Sequence, residues 1–319
     1  MPREITETTK SFAEQIVFYP RFRKAYELIK KGIESTTLSG KPACTALWAP
    51  VGTGKSTLLE YVKTQFGEEI IKTTNEGIFR IVPAIYVVVP PRVTTKDLAK
   101  EILRALHIEG VTGDLADLTR LVIQNLKICQ TQVTLMDEFQ CFAKANPAKS
   151  ADEAADWLRI ILDATGTPII VAGLPPEKNQ ADFIYSRPLL AGRFPYFAQL
   201  SNLQFSESAD GEFFSVLRGL DKKMYELADL KNGSHLTDPT IYIPLFLATQ
   251  GNLLAMRHIL RDALSYCLVK ASRELKPEAF SASYSELHFA DELARRDNPF
   301  ELGTAKCLKL ILEAQNGSP

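Results

Sequence analysis

The sequence CTALWAPVGTGKSTLL, residues 44–59, joins a short apolar run, a turn rich in Gly and Pro, and the start of an amphipathic helix. The apolar run predicts a buried strand, and the leucines after Lys55 predict a helix with one face inside. Gly52 and Gly54 allow backbone conformations that a side chain would hinder. Successive N–H groups can then converge on a phosphate, and the helix N-terminus adds its partial positive charge. A strand, a glycine loop and a helix in this order are the context of a phosphate-binding loop.

The end of this loop suits nucleotide chemistry. We expect Lys55 to reach the β- and γ-phosphates of ATP, Ser56 to place its hydroxyl on Mg²⁺, and Thr57 to approach the α-phosphate. The spacing matches G-x-x-x-x-G-K-[ST] except that Ala49 stands first, where a small residue still permits the turn. The predicted nucleotide contacts are Pro50, Val51, Gly52, Thr53, Gly54, Lys55, Ser56 and Thr57.

Two acids end a second apolar run, the predicted strand 133–140. In parallel sheets ligands bind at the carboxyl ends of the strands, so Asp137 and Glu138 are expected beside the loop. Asp137 is predicted to contact the nucleotide's Mg²⁺, directly or through water. Glu138 is predicted to orient and polarise the attacking water.

The composition is that of an ordinary globular protein. The 319 residues carry a net charge of −1, so a nucleic-acid surface would have to be a local patch. The five cysteines and four histidines are scattered without metal-ligand spacing, and we expect reduced, mostly buried thiols. No signal-like N-terminus and no run of about 18 apolar residues is present, which predicts a cytoplasmic protein without a membrane partner.

Strands and helices alternate through the first two thirds of the chain. The predicted strands are 44–48, 81–89, 133–140, 167–173 and 196–205. This α/β alternation predicts a five-stranded parallel sheet with helices on both faces. Residues 72–77 are expected to form a polar connection, and the predicted helix 151–164 to turn Trp157, Ile160 and Ile161 inward.

Beyond residue 206 the pattern becomes helical. The predicted helices are 213–230, 239–249, 252–275 and 285–296, with a shorter one at 305–312. The expected domains are an N-terminal arm and helix (1–39), a nucleotide-binding core (40–205), a small helical domain (206–296) and a tail (297–319).

Phosphoryl transfer also needs a cation where charge develops on the γ-phosphate. Arg193 is the first candidate and Arg187 the second; either would act in trans and so require an oligomer. A structural ion pair is the alternative for each. The fourth strand ends in Gly-Leu-Pro, 173–175, without a polar side chain to sense the γ-phosphate. Arg257, in the helix after Gly251, is the candidate for a second sensing residue.

The loop, the Asp-Glu strand and the C-terminal helices resemble an AAA+ ATPase, in which the helical domain would form a lid. More narrowly, a series of short motifs over roughly residues 15–260 resembles the TniB/TnsC group of transposition ATPases. The motifs are Pro20-Arg21-Phe22, Val89-Pro90-Pro91, Thr94-Thr95-Lys96-Asp97-Leu98, Met136-Asp137-Glu138-Phe139, Val171-Ala172-Gly173-Leu174-Pro175 and Gly192-Arg193-Phe194. The resemblance implies ATP binding, assembly on duplex DNA as a ring or filament, and a link between a target-selection protein and a transposase.

If this resemblance holds, DNA must meet a local basic surface. The candidates are Arg92, Thr94, Thr95 and Lys96, with Arg120 as a weaker addition. Contacts of this kind to phosphates fix register without reading sequence. The alternative is an ordinary solvated helix start.

Two rival functions stay open. One is another AAA+ enzyme, such as a replication initiator or helicase loader. The other is a nucleotide-gated signalling scaffold that hydrolyses little, which the missing polar sensor favours. Strong DNA dependence of ATP hydrolysis would disfavour the scaffold.

Overall fold

The computed structural model describes residues 3–74, 77–145, 148–177, 182–206, 208, 210–270, 273–288 and 297–316. The chain divides into two compact units, Arg21–Leu200 and a second unit made of Met1–Pro20 with Ser201–Pro319. The predicted domain boundaries at 39, 205 and 296 stay predictions. Among the helices that these ranges contain, none is long and apolar enough to cross a membrane.

The helices are α1 Arg3–Ala13, α2 Pro20–Ser39, α3 Lys55–Thr64, α4 Thr95–Ala105, α5 Leu115–Ile128, α6 Gln140–Ala145, α7 Ala148–Thr165, α8 Pro188–Ala191, α9 Glu212–Ala228, α10 Pro239–Thr249, α11 Leu253–Val269, α12 Pro277–Glu286 and α13 Thr304–Asn316. The strands are β1 Thr45–Trp48, β2 Ile70–Thr74, β3 Gly77–Ile81, β4 Ala84–Val88, β5 Val133–Asp137, β6 Ile169–Gly173, β7 Tyr196–Gln199, β8 Asn232–Gly233 and β9 Glu274–Leu275.

The Arg21–Leu200 unit is built on a five-stranded parallel sheet in the order β4-β5-β6-β1-β7. Every residue of β1, β5 and β6 is buried. Central strands of a parallel sheet are apolar on both sides because helices cover both faces. The predicted sheet with flanking helices is therefore confirmed.

Strand β6 separates β1, which leads into the glycine loop, from β5, which ends in the acids. The register pairs Trp48 at the end of β1 with Gly173 at the end of β6, and Val88 at the end of β4 with Asp137. These strands run the same way, so the loop and the acids lie on one edge of the sheet.

Part of the first unit was predicted wrongly. Within the expected polar connection at 72–77, residues 72–74 lie in β2 and Gly77 lies in β3, and these two strands pair as an antiparallel hairpin. Its Ile70 and Ile71 are 59% and 66% exposed, so the hairpin lacks the half-buried alternation by which strands are recognised. The strand expected over 81–89 is divided, because Pro83 has no N–H to continue a ladder.

Two strand ends and the burial of one helix residue also differ from the prediction. The fifth strand ends at Gln199 instead of 205. In α7, Trp157 and Ile161 are buried as predicted, but Ile160 is 45% exposed, because only one stripe of the helix faces the core. The predicted strand 133–140 ends at Asp137, after which a turn leads into α6.

The second unit is helical, with one short parallel pair of strands, β8 and β9. The helix predicted to reach 275 is shorter: α11 stops at Val269, and Glu274 and Leu275 form β9. The N-terminal arm contains a helix, α1, which packs on α11 and α9. Of the helix predicted over 285–296, residues 289–296 lie outside the described residues.

Candidate nucleotide-binding site

The glycine loop connects β1 to α3. Gly52 has φ 77° and Gly54 has φ 94°, in the left-handed region that glycine adopts without a steric penalty. Gly54 is the N-cap of α3 and supplies no side chain to its free N–H groups, which leaves them for a ligand. Inside the loop, the buried Thr53 hydroxyl donates to the Pro50 carbonyl at 2.8 Å. This bond holds the loop curved around its own backbone.

Ala49 shows why a small residue suffices at the first motif position. It is fully buried, and its N–H donates to the Gly173 carbonyl at 2.9 Å. The base of the loop is thus fixed to the end of β6. A larger side chain would have to displace the core around it.

Asp137 is buried, and both of its carboxylate oxygens are held. The Tyr86 hydroxyl donates to Oδ2 at 2.8 Å, and the Glu138 N–H donates to Oδ1 at 2.8 Å. Burial first, and then the Asp137 charge, raises the pKa of Tyr86, so the phenol stays a donor. Ser56 lowers the Tyr86 pKa slightly, so both predicted Mg²⁺ ligands, Ser56 and Asp137, influence the Tyr86 hydroxyl.

Hydroxyl and carboxylate oxygens are the donors that Mg²⁺ prefers. Among the described residues there is no group of three or more His, Cys, Asp or Glu side chains that would hold a metal alone. Mg²⁺ usually keeps waters and phosphate oxygens beside one or two protein ligands. Ser56 and Asp137 therefore fit a metal that arrives with the nucleotide.

Glu138 has φ 56°, which is uncommon for a residue with a side chain. Such conformations persist where the surrounding structure enforces them, often at functional sites. Here the backbone turns directly after β5, and the Glu138 carboxylate lies 3.8 Å from the Lys55 ammonium. Lys55 is only 6% exposed, so its charge needs this partner or a phosphate. The structure thus joins Lys55 with Glu138 across β6.

Arg193 and Arg187, the two candidates for an arginine finger that acts on a neighbouring subunit's γ-phosphate, are both paired within the chain. Arg193 Nε donates to Asp163 Oδ1 at 2.8 Å, and this bond raises the pKa of Arg193 and lowers that of Asp163. Arg187 donates to Asp152 at 2.7 Å and to the Phe183 carbonyl at 2.9 Å. Of the two, Arg187 has more bonds to give up, since its guanidinium also lies over the Phe183 ring. The finger role stays a prediction for each.

Arg257 is occupied inside the helical unit. Its guanidinium donates to the Ala13 carbonyl at 2.9 Å and to the Gln15 carbonyl, and burial lowers its pKa. These bonds fix the segment that follows α1. Its predicted contact with nucleotide stays a prediction.

The residues predicted to bind DNA differ in the contacts that they make within the chain. Thr94 is the N-cap of α4: its hydroxyl donates to Asp97 Oδ2 at 2.6 Å and its N–H donates to the same oxygen. Arg92 and Lys96 are exposed beside it. Arg120, on α5, pairs with Asp117 at 3.0 Å. Arg92 and Lys96 are therefore the candidates with the greatest freedom to meet a phosphate.

Two residues that contact the acids of the site were not predicted from the sequence: Tyr86 on β4 and Gln140 at the start of α6. Tyr86 is the polar-tipped residue of an otherwise aliphatic strand, and that signal would have identified it. Gln140 donates to Glu138 Oε2 through its side-chain amide. No spacing rule points to it, because its position depends on the turn at Glu138.

A phosphate-binding loop and an Asp-Glu strand on a β4-β5-β6-β1-β7 parallel sheet define the fold of the P-loop AAA+ ATPases. Residues 39–180 match the family model described as "AAA domain". Among curated protein sequences, none matches the chain significantly.

Solved structures agree on the fold. The Aeropyrum pernix ORC1 protein in complex with DNA matches with a TM-score of 0.56 at 14% identity, over 86% of this chain and 66% of that one. The Aeropyrum pernix ORC2 protein in its ADPNP–ADP complexes gives 0.59 at 14% identity, over 88% and 73%. A mutant RuvB from Thermotoga maritima gives 0.51 at 16% identity, over 95% and 79%. The chain thus spans just under two thirds of the ORC1 protein, and identities this low establish the fold alone.

Proposed function

We propose that this protein is an ATPase that assembles on duplex DNA and regulates DNA transposition, linking target-site selection to a transposase. The observation that carries the proposal is the pairing of Lys55 with Glu138 at 3.8 Å beside a glycine loop. It brings a phosphate-binding group and a water-activating group to one edge of the sheet.

In this proposal the loop N–H groups and Lys55 bind the β- and γ-phosphates, so that Lys55 exchanges a carboxylate for a phosphate. Ser56 and Asp137 would hold Mg²⁺, which would neutralise charge on the phosphates. Glu138 then orients a water toward the γ-phosphate. Tyr86 keeps the Asp137 carboxylate in place throughout.

The transposition assignment is supported by the order of short motifs shared with the TniB/TnsC group. DNA binding is supported by the exposed Arg92 and Lys96, which follow β4 on the same edge as the site. Contacts from such residues would be to phosphates and independent of sequence.

A replication-initiator function is the second candidate and has comparable support. The ORC1 and ORC2 proteins of Aeropyrum pernix share this fold, and ORC1 was solved in complex with DNA. The two functions differ in their partners. A strand-transfer assay with a candidate transposase separates them, because only a transposition regulator would change the choice or yield of insertion sites.

The ATPase proposal is tested with Glu138→Gln, which keeps the shape and removes the charge. We expect unchanged ATP affinity and loss of most turnover, whereas the exposed Glu109→Gln control keeps both. Turnover is measured with and without duplex DNA. Wild-type-like turnover in Glu138→Gln would refute the role of this carboxylate.

Assembly is tested by electron microscopy with duplex DNA and a non-hydrolysable ATP analogue. The expected result is rings or filaments on the DNA. Isolated monomers under those conditions would refute assembly, and DNA-independent turnover would favour the signalling scaffold.

A further inference from the structure

Gln140 lies between the proposed hydrolytic carboxylate and the end of β6. Its amide Nε2 donates to Glu138 Oε2 at 2.5 Å, and its Oε1 accepts the Leu174 N–H at 3.0 Å. The backbone donor fixes the orientation of the amide, because only the oxygen can accept from Leu174. The NH₂ group therefore has to face Glu138.

Gly173 leaves the space in which this amide lies. A Cβ at that position would stand 2.6 Å from Gln140 Oε1 and 3.1 Å from the Gln140 backbone nitrogen. The fourth strand ends without a polar side chain of its own, and Gln140 brings an amide to the same place from the start of α6. The Gln140 amide can therefore occupy this position only because Gly173 has no side chain.

The bond gains importance when nucleotide binds. Glu138 has Lys55 on one oxygen and Gln140 on the other. In the proposed mechanism Lys55 turns to the phosphates, which leaves Gln140 to hold the carboxylate. Rotation of a half-exposed Glu side chain would otherwise move the oxygen that orients water.

We propose that Gln140 is a positioning residue for ATP hydrolysis: it ties the Glu138 carboxylate to the end of β6. The inference rests on the proposed ATPase function and adds the residue that sets where Glu138 points.

The test compares Gln140→Ala, Gln140→Glu and the exposed control Gln132→Ala. Hydrogen bonds to charged groups have strengths that correspond to about 10-fold to 100-fold in rate, so Gln140→Ala should lower kcat by that factor. KM for ATP should change less than about threefold, since Gln140 is not among the proposed nucleotide contacts. Gln132→Ala should match the wild type.

Gln140→Glu distinguishes positioning from space filling. It keeps the shape and can still accept from Leu174, but it places a second carboxylate against Glu138, which repels it. If Gln140 positions Glu138, the kcat of Gln140→Glu should fall at least as far as that of Gln140→Ala. If Gln140 only fills space, the kcat of Gln140→Glu should stay at the wild-type value.

Gly173→Ala provides an independent route to the same effect. Its methyl group displaces the amide, so kcat should fall by a similar factor. In the Gln140→Ala background the further loss should be less than about threefold, because the two changes act on one interaction.

The outcomes separate the two proposals. Loss of turnover in Glu138→Gln together with full kcat in folded Gln140→Ala would overturn the positioning role alone. An increase in kcat in Gln140→Ala would also overturn it, since Gln140 would then restrain Glu138. Turnover that survives Glu138→Gln would overturn the ATPase mechanism itself.

Discussion

Arg193→Ala tests whether one subunit completes the site of another. The Arg193 carbonyl accepts from Cys44 N–H at 2.7 Å, just before β1 begins, whereas the glycine loop follows the other end of β1. Arg193 therefore lies at the edge of the sheet opposite its own loop. A guanidinium there can act on a γ-phosphate only in a second subunit.

The two roles of Arg193 predict effects of different size. Its pair with Asp163 is about one third exposed on both sides, and such pairs stabilise a protein by about 1 kcal/mol at most. An arginine finger contributes roughly 10³-fold or more in kcat, or about 4 kcal/mol. A finger thus predicts a large loss of turnover with a small change in Tm. Asp163→Asn, which frees the guanidinium, should keep turnover.

The assay mixes Arg193→Ala subunits with Glu138→Gln subunits, each inactive alone. In an equal random mixture about one interface in four joins an intact Glu138 to an intact Arg193, so about a quarter of wild-type turnover should return. Arg187→Ala in the same mixture identifies the finger if Arg193 is not it. Full turnover in Arg193→Ala alone, or a mixture without activity, would refute the reasoning.

Four further substitutions have expected outcomes. Gly251→Ala should destabilise the helical unit by more than about 2 kcal/mol in chemical denaturation, because φ is +73° and a Cβ would stand 1.9 Å from a backbone carbonyl. Thr94→Ala should cost about 1 kcal/mol at pH 7. The Thr94 hydrogen bonds lower the pKa of Asp97. Their contribution to the free energy of unfolding is therefore complete above the unfolded pKa of about 4 and is lost as pH falls through the folded pKa. The difference in Tm between Thr94→Ala and wild type should shrink over that pH range. Arg92→Ala and Lys96→Ala should each weaken DNA binding on any sequence and reduce the salt slope of log K by about 0.9; an unchanged slope would exclude them as phosphate contacts.

The sequence was sufficient for the sheet and for the loop because both have strong local signals. Apolar runs bounded by turns predict buried parallel strands, and Gly52 with Gly54 predicts the backbone that the structure has. The hairpin β2–β3 was missed because Ile70 and Ile71 on β2 face solvent. Its pairing does not depend on burial, which is the property that periodicity detects.

The contacts within the site were harder to predict. Tyr86 reaches Asp137 across two paired strands, and Gln140 reaches Glu138 because of one left-handed turn. Neither contact follows from spacing in the chain. The intramolecular partners of Arg193 and Arg257 were likewise outside sequence reasoning, since they come from distant segments.

The proposed DNA-binding turn and the proposed hydrolytic pair follow neighbouring strands. The Val89 N–H, at the start of the turn that contains Arg92, donates to the Asp137 carbonyl at 2.9 Å. The same strand supplies the Tyr86 hydroxyl to the Asp137 carboxylate. A DNA phosphate that bound Arg92 would therefore pull on a strand that is hydrogen-bonded to both the backbone and the side chain of Asp137. If the proposed DNA contact and the proposed role of Asp137 in holding Mg²⁺ both hold, this contiguity would let DNA act on that carboxylate, and it is the reason to expect turnover to depend on DNA.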